Sequence, residues 1–140
     1  MTVKPETNFW KNLKKLLIDG KEHYLISRIE SYATPGFPDC VVFHKEIGFF
    51  TLELKVANSS GKVNISTFQR AWNTLYSVYG APVFYLILAP GKGSVKLIEG
   101  SKSLELSNKD LDSVPGLYDG RLEDLDFLKL LKLPTHTKLN

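Results

Sequence analysis

The chain carries one cysteine, one methionine and three histidines in 140 residues, and these scarcities exclude several chemistries. A lone Cys40 can close no internal disulfide and supply no cysteine-based zinc site, which favours a reducing compartment and makes Cys40 a buried thiol. His23, His44 and His136 show no metal-ligand spacing, and no serine or cysteine sits in a recognisable nucleophile motif. Gly91-Lys92-Gly93-Ser94 lacks the spacing of a phosphate-binding P-loop. Long apolar runs are missing too. The longest, Ala81 to Pro90, falls short of the roughly 20 residues that a bilayer requires, and the N-terminus lacks the apolar core of a signal peptide. The expectation is a cytoplasmic protein with no membrane partner.

With 43% hydrophobic and 24% charged residues, the chain has enough apolar content for one globular domain over positions 1–140. No internal repeat or low-complexity stretch divides it. A net charge of +3 is compatible with a phosphate-rich partner but does not select one.

Periodicity then orders the elements. Asn8 to Ile18 reads as an amphipathic helix with Phe9, Trp10, Leu13, Leu16 and Leu17 in one stripe. Tyr24 to Ser31 reads as a strand, and Ala33 to Pro38 as a loop. Cys40 to Phe43 and Phe49 to Val56 form a hairpin about His44 to Gly48. After a polar loop, Ala57 to Lys62, a second helix runs from Ser66 to about Tyr79, with Phe68, Trp72, Leu75 and Tyr79 at helical spacing. Val83 to Ala89 is apolar throughout, as in a strand buried on both faces, and Ser94 to Ile98 follows as another. From Gly100 the pattern predicts a connector, a Pro115-Gly116 turn and a last helix from about Leu122 to Leu133. The fold class is α/β, with a core over about 6–100 and a C-terminal helical extension over about 101–140.

The chemistry lies in the hairpin. Folding about Glu46 sets Asp39 nearly opposite Glu53, on strands roughly 4.8 Å apart. Strand alternation puts Glu53 and Lys55 on one face and Leu52, Leu54 and Val56 on the other. Two carboxylates in a partly dry site repel unless a cation neutralises them, and oxygen-only ligands favour a hard ion, Mg²⁺ or Mn²⁺. Lys55 could then hold and polarise an attacking water for phosphodiester hydrolysis. The alternative is a charged hairpin face with no chemistry.

Arg28-Ile29-Glu30, Gly36-Phe37-Pro38-Asp39, Leu52-Glu53-Leu54-Lys55, Gly61-Lys62 and Gln69-Arg70-Ala71-Trp72, after a helix bearing Glu6, come in an informative order. It resembles that of PD-(D/E)XK nucleases, and most closely the VRR-NUC branch with its small stand-alone phage proteins. The resemblance spans roughly residues 6 to 90. It implies a restriction-endonuclease-like core, a mixed central sheet flanked by helices, and a metal-dependent endonuclease acting on DNA, with branched or junction DNA as an extension. For a phage-encoded protein the compartment would be the host cytoplasm. By position, Asp39 and Glu53 would bind metal with the Leu54 backbone carbonyl, Lys55 would assist the nucleophile, Glu6 would complete the acidic site and Gln69 would line it. A homodimer would suit symmetric cutting.

Several assignments stay open at this level. Glu6 shares a helical face with Trp10, Leu13 and Leu17, yet an acid also suits any helix start. Glu30 and Glu22 are its rivals; Glu30 shares a strand face with Arg28 and could simply pair with it, and Glu22 reads as a solvated turn residue. Gln69 completes a capping box with Ser66, which explains it without any site. Lys62, Lys11, Lys14, Lys15 and Arg70 are phosphate-contact candidates or solvated surface. Trp10, Trp72 and the tyrosines at helical spacing read as core rather than base-stacking platforms. Two further functions compete: a non-catalytic nucleic-acid-binding module, and a nuclease subunit that depends on a partner.

Overall fold

The computed structural model describes residues 5–30 and 33–132. The chain runs through α1 (Pro5–Asp19), β1 (Leu25–Arg28), β2 (Cys40–His44), β3 (Gly48–Val56), α2 (Thr67–Val78) and β4 (Val83–Ala89). It continues through β5 (Ser94–Glu99), α3 (Ser103–Asn108), β6 (Tyr118–Gly120) and α4 (Phe127–Leu131). All six strands join one sheet in chain order. Neighbours are antiparallel except β3 and β4, which are parallel with Glu53 beside Tyr85 and Lys55 beside Ile87. A parallel pair needs a crossover connection, and α2 supplies it. The result is a mixed α/β architecture with helices flanking a mixed sheet.

The alternation along β3 and β4 sends side chains into two cores. Leu52, Leu54, Phe84 and Leu86 meet Phe9, Leu13 and Leu17 of α1 and Phe127 and Leu131 of α4. Tyr85 and Ile87 point the other way, to Val63, Ile65, Leu106, Leu111 and Val114. Val83–Ala89 is thus an apolar run because both of its faces are covered.

The β2–β3 register pairs Cys40 with Leu52 and His44 with Gly48, so the hairpin does turn about Glu46. Gly48 takes the positive φ of 86° that the turn requires. Asp39 sits one residue outside the last pair, at the open end of the hairpin.

Four expectations change. α1 begins at Pro5 rather than Asn8, and β1 is only four residues long. The stretch after Gly100 is more than a connector, since β6 extends the sheet by pairing Leu97 with Tyr118. The predicted helix over 122–133 breaks into a 3-10 turn at Leu122–Asp124 and the short α4, because the Asp126 side chain accepts the Lys129 N–H and starts a new helix there. Ser31, Leu133 and His136 lie outside the described residues. Among the described residues, no helix is long and apolar enough to cross a membrane.

Candidate active site

Four parts of the fold converge where β2 and β3 open. The 33–38 loop delivers Asp39 from one side, and Gly36 makes this approach feasible. Its φ is 85°, and an added Cβ would fall 2.2 Å from the Phe68 carbonyl oxygen, so the loop lies directly on the start of α2. The β3 strand brings Glu53 and Lys55. The first turn of α1 brings Glu6, and that of α2 brings Gln69.

These residues surround one cavity of about 420 Å³, lined by Glu6, Asp39, Glu53, Leu54, Lys55 and Gln69 together with Thr7 and Arg28. Asp39 Oδ2 accepts the Leu54 N–H at 2.8 Å, which ties the two hairpin strands together across the site. The Leu54 side chain packs in the core, so this residue meets the cavity through its main chain. Glu53 is 1% exposed. Its Oε2 accepts from Gln69 Nε2 at 2.8 Å and lies 3.8 Å from Lys55 Nζ. Its Oε1 is buried with no hydrogen-bond partner. Burial foremost, then the charge of Asp39, pushes the Glu53 carboxyl up to about 8, against the pull of Lys55.

Gln69 has both of the roles that its position allows. Its Oε1 accepts the Ser66 N–H at 3.0 Å while its own N–H reaches Ser66 Oγ, closing the capping box. The same side chain turns its Nε2 to Glu53. Cap and cavity contact coexist because the amide offers an acceptor and a donor on opposite sides.

The acids separate clearly by position. Glu6 lines the cavity. Glu30 is exposed and is not in the lining, and no ion pair joins it to Arg28. Glu22 is an exposed residue in the bend after α1, as read, and its Oε1 accepts from His44 Nε2 at 3.1 Å. His44 is buried, and its Nδ1 accepts the Glu46 N–H, which leaves the proton on Nε2 for Glu22. Glu22, His44 and Glu46 cluster closely enough to bracket an ion, but both imidazole nitrogens and the Lys132-bonded Glu46 are already engaged.

Of the cationic candidates, Lys11, Lys14 and Lys15 lie exposed on α1. Lys62 pairs with Asp110 at 3.2 Å, away from the cavity, and Arg70 lines a separate groove beside α3. The sequence reading missed Arg28. Its guanidinium lies 5.3 Å from the Trp10 ring centroid, and its pairing with Cys40, the neighbour of Asp39, brings it to the cavity rim. That register was the available signal.

The aromatic expectation holds in part for Trp10, which packs half-buried against the core. It fails on α2, where Trp72 is only half-buried and Tyr76 and Tyr79 are 43% and 83% exposed, as are the apolar Phe68 at 62% and Leu75 at 55%. The tie from Gln69 to Glu53 sets the rotation of the helix, so Gln69 and buried Asn73 face inward and the apolar stripe faces solvent.

The chain matches no family model and no curated protein.

Proposed function

We propose that the protein is a Mg²⁺- or Mn²⁺-dependent endonuclease that hydrolyses DNA phosphodiesters on a restriction-endonuclease-like core of the PD-(D/E)XK type. The observation that carries this reading is the convergence of Glu6, Asp39, Glu53, Lys55 and Gln69 on one cavity that contains a buried, unpartnered carboxylate oxygen. Such an oxygen is costly unless it meets a cation, and an all-oxygen donor set suits a hard divalent ion. Asp39, Glu53 and the Leu54 main chain would hold that ion, with Glu6 at the cavity edge. When bound, it supplies a Lewis acid for the phosphate and lowers the pKa of water.

The remaining work falls to side chains of the chain itself. Lys55 stands beside Glu53 with its side chain 20% exposed, so its ammonium reaches water from the cavity wall. It orients the attacking water and offsets charge on the transition state. Gln69 holds the Glu53 carboxylate in one orientation. Arg28 adds a second positive group at the rim for the scissile phosphate.

Labelled duplex, single-stranded, flap and four-way-junction DNA, each titrated with Mg²⁺ and Mn²⁺, tests this reading. Cleavage should require the metal and fall on the order of 10²–10⁴-fold in Asp39→Ala and Lys55→Ala. Binding with a steep salt dependence but no turnover with either ion would instead make this a nucleic-acid-binding module.

A further inference from the structure

We infer that Asn73 and Tyr85 are positioning residues that hold Gln69 against Glu53 through a buried polar chain running from α2 into β4 and the turn after β5. Amphipathic helices normally bury their apolar stripe, yet Asn73 is the one residue of α2 that is buried. Its Nδ2 donates to the Gln69 carbonyl at 2.9 Å. The same amide hydrogen-bonds the Tyr85 hydroxyl, and Asn73 Oδ1 has no partner, so the second N–H makes that bond. Tyr85 is fully buried, and the parallel register of β3 and β4 sets it side by side with Glu53, which places both side chains on the α2 face of the sheet.

Each proton in the chain has one place to go. Ser103 Oγ donates to the Gly100 carbonyl at 2.6 Å, so at 2.6 Å from Tyr85 it accepts the phenolic proton. Burial pushes that hydroxyl up to about 12, and it therefore stays a donor at neutral pH. The turn that carries Ser103 has no slack, since a Cβ on Gly100 would stand 2.9 Å from the Asn73 carbonyl oxygen and 3.0 Å from that of Val83. The bonds thus run in one direction from Asn73 through Tyr85 and Ser103 to Gly100, while the other Asn73 N–H fixes the turn of α2 that bears Gln69. Folding alone gives little reason for such an amide. Its buried Oδ1 is left unsatisfied, a desolvation cost that an apolar side chain in the same place would not carry. What the amide secures is the height and rotation of Gln69, whose Nε2 meets Glu53 Oε2 at 2.8 Å. The kinetic consequence rests on the nuclease reading of the cavity, whereas the hold on Gln69 does not.

Tyr85→Phe removes one hydroxyl and keeps the ring, and Asn73→Ala removes the amide. With Mn²⁺ and DNA both saturating, each should lower kcat on the order of tenfold with KM for DNA unchanged, since neither residue lines the cavity. In a Gln69→Ala background the same two substitutions should cost no further activity, the non-additivity of residues that act as one unit. A readout without metal or DNA is the Gln69 side-chain amide signal in NMR spectra, which should move toward its free-peptide position in Tyr85→Phe and Asn73→Ala. Leu106→Ala trims the same core away from the polar chain, and it should lower the melting temperature while leaving that signal in place. Should Tyr85→Phe not fold, Ser103→Ala, which keeps both ring and hydroxyl, takes its place. An unmoved Gln69 signal in the folded variants, or activity losses that multiply in the Gln69→Ala background, overturns the inference. A wild type that does not cleave, with a Gln69 signal that moves as expected, would support the hold on Gln69 and refute the nuclease reading alone.

Discussion

Glu53 is buried beside the charge of Asp39, and this burial sets a pH response. The carboxyl is raised from its ordinary 4.5 to about 8 in the folded chain. Between those values the folded state keeps a proton that the unfolded state has released, so stability declines as pH rises through the window and levels off above about 8. Metal-free protein should therefore melt at progressively lower temperature from pH 5 to 8, and saturating Mg²⁺ should flatten the slope by taking the place of the proton. Glu53→Gln should remove the slope without metal, raise the melting temperature at pH 8 and abolish cleavage; a persistent slope in thermal melts of that variant would refute the assignment. At the rim, Arg28→Ala should raise KM more than it lowers kcat and leave the melting temperature nearly unchanged, because Arg28 is exposed and its partner is a ring face. Asp39, Glu53 and Lys55 were legible at this scale because strand alternation and hairpin symmetry place them without tertiary information. Arg28 was not, since its position depends on how β1 pairs with β2.

At the scale of elements, the limits of α2 follow from its cap. Ser66→Ala should cost about 1 kcal/mol in denaturant unfolding, and it should also loosen Gln69, so that activity falls more than stability alone explains. Gly36→Ala meets a harder obstacle. Both its positive φ and the Phe68 carbonyl oppose a side chain, so the loop must lift off α2 and carry Asp39 with it. Loss of both melting temperature and cleavage is expected there, compared against an exposed control such as Gly91→Ala, where nothing stands within 4 Å of an added Cβ. The β2–β3 hairpin and β4 were readable because period 2 and a continuous apolar run speak for themselves. The facing of α2 was not. Helical spacing identifies a stripe but not its direction, and here the face that bears Gln69 and Asn73 is the one turned inward. Nor could Tyr118–Gly120 be read as a strand, since three residues hold no period and only the exposed edge of β5 makes them one. The last helix misled because acids before lysines mimic a dipole-matched helix, whereas Asp126 serves as a cap.

For the whole molecule, the region after Gly100 belongs to the same cooperative unit as the hairpin. Phe127 is buried against Phe50 at 4.9 Å and edge-on to Tyr24, and Lys132 reaches Glu46 in the hairpin turn. Phe127→Ala should cost about 3–5 kcal/mol while preserving a single unfolding transition; a separate early transition on calorimetry would detach this segment from the core. The order in which the chain is made adds a consequence. Every residue lining the cavity falls between positions 6 and 69, so the half synthesised first carries the acids and the later half carries their support. At about 5–20 residues per second, β4 leaves the ribosome seconds after Glu53. Through that interval β3 holds an open edge, and α2 is the tether that returns Val83–Ala89 to close it. Docking of β4 is then the event that turns a loose acidic cluster into a rigid site, and a nascent chain stalled before it would expose the stickiest edge of the sheet.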